Sequence, residues 1–283
     1  MVPEERKERY EVSDTGVGPE GGEPVGLFRG VGVALVTLFD ADGGLDAGAT
    51  AEHAARLVDL GIRAVLVAGT TGEPASLEAD ERRALLAAVR RAVPAGGGVP
   101  VIAGTGAAST RQAVAHTVAA CDGGADAVLA LSPPQVADPR PYYDAVAKAA
   151  GAVPVLAYHF PESCPPGISI EHLRDLPVAG CKDSSGDVTR FHEELARFDG
   201  ALYVGSPVLT YLAGVMGATG ALLAIANVDP ERCVAAFGGD VDAQKALIAP
   251  HLTATAAFPS ALKGLVAARF GTSTTVRMGR DGR

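Results

Sequence analysis

Val178-Ala179-Gly180-Cys181-Lys182-Asp183-Ser184-Ser185-Gly186-Asp187 is a short apolar run that ends on a lysine and passes at once into a polar, turn-prone segment. Residues 178–182 read as a buried strand leaving a core, and residues 188–198 read as the helix that follows. A surface lysine usually sits among other charges, but this one stands where the core ends. Apolar surroundings disfavour the ammonium form and make a nucleophilic amine available near neutral pH. The plainer reading is a snorkelling lysine, its stem on the core and its head in water. The stretch alone favours neither.

The strand–helix unit repeats along the chain. Strands are expected at 31–37, 62–68, 99–103, 125–131, 153–159, 178–182, 201–204 and 220–224. Between them lie helical segments. Asp46 caps one that runs to Leu60, and Ser76 opens one over 78–93. Ser109 or Thr110 caps a helix to Cys121, and further helices are expected near 141–150, 170–175, 188–198 and 208–216. Asp229-Pro230 has the N-cap and N1 pattern of the eighth helix. The strands are continuous apolar runs, as in parallel sheets buried on both faces. Eight unbroken units predict an α/β fold, a closed (β/α)8 TIM barrel over 28–238. Two more helices, 241–255 and 259–270, form a C-terminal appendix of the same domain over 239–283. Residues 1–27 are rich in Glu, Gly and Pro and are expected to be a flexible tail. The end, 277–283, is expected to be loose as well.

The formal net charge of −9 argues against a nucleic-acid or anionic-membrane partner. No apolar run approaches the roughly 20 residues of a membrane span, and the N-terminus lacks an apolar signal region. Cys121, Cys164, Cys181 and Cys233 are scattered without ligand spacing, which fits reduced thiols in a cytoplasmic protein. The histidines are equally dispersed, so no metal site is expected.

In such a barrel, polar residues just past the strand ends line one rim. Here they are Thr37, Gly69-Thr70-Thr71-Gly72-Glu73, Gly104-Thr105-Gly106, Ser132, Tyr158, Lys182, Gly205-Ser206 and Asn227. For most of them turn chemistry or capping is the better reading. The combination of one lysine, one tyrosine and a threonine-glycine turn at one rim is not so easily explained. A neutral amine attacks a ketone to give a Schiff base, whose protonated form is an electron sink for an adjacent C–C bond. A tyrosine can move the protons. The turn at 69–72 offers backbone N–H groups and two hydroxyls to a carboxylate. That chemistry needs neither metal nor cofactor. Gly104-Thr105-Gly106 lacks the third glycine of a dinucleotide site, and 69–73 lacks the lysine of a phosphate loop. His159 follows Tyr158 on one strand and is expected to face the other way, into the barrel wall.

The chain resembles the family of dihydrodipicolinate synthase and N-acetylneuraminate lyase, the Schiff-base class I pyruvate lyases. The resemblance is carried by Ala34-Leu35-Val36-Thr37-Leu38-Phe39, the turn at 69–73, Gly104-Thr105-Gly106, Pro154-Val155-Leu156-Ala157-Tyr158, Gly180-Cys181-Lys182-Asp183 and Gly220-Ala221-Leu222-Leu223-Ala224-Ile225-Ala226-Asn227. It implies that Lys182 forms the Schiff base with pyruvate or a related 2-oxo acid and that Tyr158 shuttles protons. It also implies that Thr70 and Thr71, with Gly72, hold the carboxylate, Thr70 relaying protons to Tyr158. Backbone groups at Gly205 and Leu222 would lie beside the lysine, and a homotetramer or dimer is implied.

Two departures bear on the second substrate. Where the synthases carry a Tyr-Tyr pair, this chain has Pro134 and Gln135; Tyr142 and Tyr143 fall later, on the following helix. Ser163 stands near the place of an arginine that grips the carboxylate of aspartate semialdehyde in the synthases. Losing a bidentate carboxylate clamp costs affinity for that partner. Gln135 and Ser163, with Cys164 and Ser206, are therefore the expected contacts of an aldehyde. The segment 182–187 looks more like the 4-hydroxy-2-oxoglutarate and 2-keto-3-deoxy sugar-acid aldolases. An aldolase of that kind is the expectation. The alternatives are 4-hydroxy-tetrahydrodipicolinate synthase, a dehydratase using the same imine, and a non-catalytic barrel that binds a 2-oxo acid.

Overall fold

The computed structural model describes residues 26–94 and 97–278. Its frame is eight parallel strands: β1 Gly30–Ala34, β2 Val65–Val67, β3 Val101–Gly104, β4 Ala127–Leu131, β5 Val155–His159, β6 Gly180–Asp183, β7 Ala201–Val204 and β8 Gly220–Leu223. Each pairs with the next, and β8 pairs with β1, so the barrel is closed. The helices between them are α1 Ala47–Asp59, α2 Ala79–Ala92, α3 Thr110–Asp122, α4 Arg140–Ala150, α5 Ile170–Asp175, α6 Val188–Arg197, α7 Thr210–Val215 and α8 Pro230–Phe237. Then come α9 Val241–Ala246, α10 Ile248–Ala256 and α11 Ser260–Phe270. Of the tail expected over 1–27, residues 1–25 lie outside the described residues, as do 279–283. Among the described residues no helix is long and apolar enough to cross a membrane.

The strands read as unbroken apolar runs because each serves two cores. Side chains alternate along a strand, so one run divides by parity. Leu66, Ile102, Leu129, Leu156 and Leu222 face inward and fill the barrel. Val65, Val101, Val128, Val155 and Leu223 face outward against the helices. The far end of the barrel is plugged by Phe28, which stacks on Tyr203 at 4.5 Å and shares backbone hydrogen bonds with its hydroxyl.

Asp46, Ser109 and Asp229 cap their helices as expected, each accepting a backbone N–H of the first turn, and Asp187, which the sequence reading did not name as a cap, does the same for α6. Three expectations are corrected. The cap of α2 is Glu78, whose N–H is accepted by Glu81, while the Ser76 hydroxyl donates to Glu73 O in the preceding turn. The helix expected over 241–255 is two, α9 and α10, meeting at Leu247. Pro250 has no N–H to offer the Ala246 carbonyl, and its ring crowds that oxygen. The end expected to be loose is tied down as far as Met278, because Arg277 and Met278 both bond to Glu73.

Several rim residues have structural duties. Asn227 accepts from Val36 N at 3.0 Å and donates to Ala34 O at 2.7 Å and Ala224 O at 2.8 Å, which pins the loop after β8 to the end of β1. Gly104 and Gly106 let neighbouring backbones touch; a Cβ on either would strike Ala68 O or Leu131 N. Asn227→Ala strands buried backbone groups that the sheet cannot satisfy, at about 1–3 kcal/mol each. We expect it to lower unfolding stability by roughly 2–4 kcal/mol in urea titration, with an unchanged denaturant slope. Asn227→Asp is not expected to rescue it, since a carboxylate cannot donate to Ala34 O.

Candidate active site

β5 and β6 are adjacent, and Tyr158 is the register partner of Lys182. Both side chains face the barrel interior and are buried, at 5% and 4% exposure. The Lys182 Nζ lies 4.3 Å from the centroid of the Tyr158 ring, which stacks on Phe160 at 5.9 Å. Among the described residues Lys182 has no ion-pair partner. The amine is thus buried against an aromatic face with no carboxylate to hold it.

Gly205, at the end of β7, makes room for the lysine stem. A Cβ there would come within 2.7 Å of Lys182 Cε and closer still to Ser184 Oγ. Leu222 is fully buried in the inner layer. In register Lys182 aligns with Tyr203 and Tyr203 with Gly220; because the register of a tilted barrel drops by about one residue per strand, Leu222 shares the inward layer of the lysine.

Across the mouth, four strands away, β2 ends in the turn Thr70–Gly72. Its flanks, Ala68 and Glu73, are both left-handed, with φ of 51° and 54°. Residues with a Cβ hold that conformation only where surroundings enforce it. Gly72 N donates to Gly69 O at 2.8 Å, and the Thr37 hydroxyl donates to Gly72 O at 2.8 Å. Thr71 is buried and Thr70 half-buried, and neither hydroxyl has a partner among the described residues. Gln135 and Ser163 are exposed on the loops after β4 and β5. Gln135 N donates to Pro165 O at 2.6 Å, which joins those two loops.

The sequence profile of the dihydrodipicolinate synthetase family matches residues 27–250. An uncharacterised DapA-like lyase of Halobacterium salinarum is 40% identical over 77% of this chain and 74% of its own. The chain belongs to the dihydrodipicolinate synthetase family. A 4-hydroxy-tetrahydrodipicolinate synthase of Pseudomonas aeruginosa is 37% identical over 78% of this chain and 80% of its own. Among solved structures, dihydrodipicolinate synthase DapA-2 of Bacillus anthracis superposes with a TM-score of 0.82 at 28% identity, covering 89% of this chain and 91% of that one. The dihydrodipicolinate synthase of Acinetobacter baumannii complexed with pyruvate gives 0.76 at 27% identity, covering 89% and 94%. The chain is thus a lyase of this family, and the reading as a non-catalytic barrel is set aside.

Behind the lysine, on the outer face of β5 and β6, this family member carries a charged cluster that residue-by-residue reading did not single out. Asp183 and Glu194 are buried, with Arg190 between them at 3.4 Å from Asp183 Oδ2 and 2.9 Å from Glu194 Oε1. Asp183 Oδ1 accepts from Ser185 N at 2.7 Å. The signal was present in the spacing: Arg190 and Glu194 stand one turn apart on the helix that Asp187 caps. Burial, and then the Asp183 charge, push the Glu194 carboxyl up to about 8, so one proton and one arginine balance two buried acids near neutral pH. His159 faces the same wall, as expected, and its Nδ1 accepts from Ile168 N at 2.9 Å. Burial, reinforced by Arg190, brings it down to about 4, which keeps the ring neutral.

The Glu194 carboxyl has a folded-state pKa above its unfolded value of 4.5. Its contribution to stability is therefore complete below that value and lost as pH rises through about 8. His159 acts in the opposite sense, its contribution being lost as pH falls from 6.5 towards 4. The window from 6.5 to 8 isolates the acid. There Glu194→Gln is expected to flatten the fall of unfolding free energy with pH by up to about 1.4 kcal/mol per pH unit, read from urea titrations. Identical slopes in mutant and wild type would remove the proton from Glu194.

Proposed function

We propose that this family member is a class I aldolase. In this reading Lys182 forms a Schiff base with pyruvate or another 2-oxo acid, and a carbon–carbon bond is made or cleaved beside it. The observation that carries the reading is the inward-facing register pair, an unpaired Lys182 amine 4.3 Å from the Tyr158 ring centroid. The pyruvate bound by the Acinetobacter baumannii relative supports the choice of 2-oxo acid.

The neutral Lys182 amine attacks the C2 carbonyl, and the carbinolamine loses water to leave a protonated imine. In the cleavage direction, loss of the proton from the C4 hydroxyl breaks the C3–C4 bond and releases an aldehyde. The bond's electron pair passes into the imine, giving an enamine. Protonation at C3 and hydrolysis return pyruvate and the free lysine. Tyr158 serves as the proton carrier, since its phenol accompanies its ring to the amine. Thr70 and Thr71, with the backbone N–H of Gly72, receive the carboxylate, and Thr70 relays protons to Tyr158. Gly205 and Leu222 line the imine.

An acceptor with a hydroxylated rather than carboxylated tail suits the loops carrying Gln135 and Ser163, where no cation stands at either place. That favours a 2-keto-3-deoxy sugar-acid type of substrate over the 4-hydroxy-2-oxoglutarate type, whose aldehyde half is itself a carboxylate. The second reading is 4-hydroxy-tetrahydrodipicolinate synthase, which the Pseudomonas aeruginosa relative supports. A homotetramer or dimer remains part of the proposal.

Borohydride treatment with pyruvate is expected to leave a covalent adduct on wild type, seen by mass spectrometry, and none on Lys182→Ala. Equal labelling of both would end the Schiff-base reading. Tyr158→Phe is expected to keep the adduct and lose about 10²–10⁴-fold in kcat. Robust turnover of pyruvate with aspartate semialdehyde would favour the second reading over the first.

A further inference from the structure

Glu73 closes the turn that faces Lys182, and its carboxylate has no role in the chemistry above. It is buried at 1% exposure and engaged on both oxygens. Oε1 takes Lys263 Nζ of α11 at 2.6 Å. Oε2 takes the backbone N–H of Arg277 at 2.7 Å and that of Met278 at 2.6 Å. Lys263 Nζ also donates to Thr275 O at 2.7 Å and lies 4.4 Å from the Phe39 ring centroid.

The C-terminal segment is itself fastened to the same rim. The Arg277 guanidinium donates to Gly43 O at 2.6 Å, Ser76 O at 3.0 Å and both Glu81 oxygens at 2.6 and 2.7 Å. It stacks over Phe39 at 4.3 Å. One side chain thus bridges the loop after β1, the turn after β2 and the start of α2. From the other side Arg82 donates to Pro74 O at 2.5 Å and Gly104 O at 3.1 Å.

A buried ion pair is a poor source of net stability, since desolvation cancels much of the attraction. Its better use is to specify one geometry, and here the geometry is unusual. Glu73 sits at φ 54°, a conformation that a residue with a Cβ keeps only when its surroundings over-determine it. The carboxylate anchors that residue, and the residue fixes where the Gly72 N–H and the Thr71 hydroxyl point.

We propose that Glu73 is a positioning residue for the turn Thr70–Gly72, and that the strap formed by residues 275–278 holds it, so that affinity for the 2-oxo-acid carboxylate is set from the C-terminal appendix. This rests on the reading that the turn receives that carboxylate. A carboxylate bound by N–H groups and hydroxyls alone depends on their being pre-aligned. Loosening the strap therefore weakens pyruvate binding while leaving the amine in place.

The test uses full-length variants. Arg277→Ala/Met278→Pro removes the fastening side chain and one of the N–H donors to Glu73, far from Lys182. Glu73→Gln keeps the shape but strands Lys263 in the core, so it serves only if its melting curve shows a folded protein. The double variant is expected to raise the KM for pyruvate roughly tenfold with kcat within about twofold of wild type, and to label fully with borohydride at saturating pyruvate. Hydrogen exchange by mass spectrometry is expected to show faster exchange in the peptide covering 69–73, with β5 and β6 unchanged. An unchanged KM in the folded double variant, or unchanged exchange in that peptide, overturns the proposal. A wild type that traps no pyruvate overturns the Schiff-base reading instead, and exchange in the 69–73 peptide then decides the coupling by itself.

Discussion

The hydrogen-bonded register between β5 and β6 is the constraint on which the site depends. In a parallel pair the main chain decides which residues lie side by side, and the pleat decides which of them face inward. Tyr158 meets Lys182 inside the barrel, while His159 meets Asp183 outside it. A slip of one residue would exchange the two sets, burying Asp183 in the barrel and sending the amine among the helices. The charged group of Asp183, Arg190 and Glu194 works against such a slip, because its charges balance only when β6 and α6 stand as they do.

The opposite side of the mouth is organised by backbone rather than by side-chain chemistry. The turn after β2 begins and ends on left-handed residues, and each link in it is answered by another segment: Thr37 from the segment after β1, Arg82 from α2 and the C-terminal strap on Glu73. Small residues do related work elsewhere on the rim, where Gly104 and Gly106 permit contacts between backbones that any side chain would forbid. The rim is therefore stiff around the turn and around the lysine. It is more open at the joined loops of Gln135 and Ser163, the part of the proposed site that the second substrate would meet.

Much of the fold was legible in the chain. Eight apolar runs separated by capped helical segments require a closed parallel barrel, because such runs need cover on both faces and a closed sheet leaves no edge. Asp46, Ser109 and Asp229 announced their helices by local hydrogen bonding alone. The misplaced start of α2 and the missed break at Leu247 are local as well. Ser76 competes for a turn, and Pro250 acts on a residue four positions earlier.

By itself the sequence determined the barrel, the inward parity of Lys182 and Tyr158, and the family to which the chain belongs, since each follows from patterns within one segment or from motifs in order. Only the tertiary structure decided which rim residues are structural, such as Asn227, and which are left without partners. It alone revealed the buried acids behind β6 and the strap that ends on Glu73. Those contacts join residues as far apart as Glu73 and Met278. No local preference of either segment encodes such a pairing; it arises when the closed barrel brings the last helix back to the first strands.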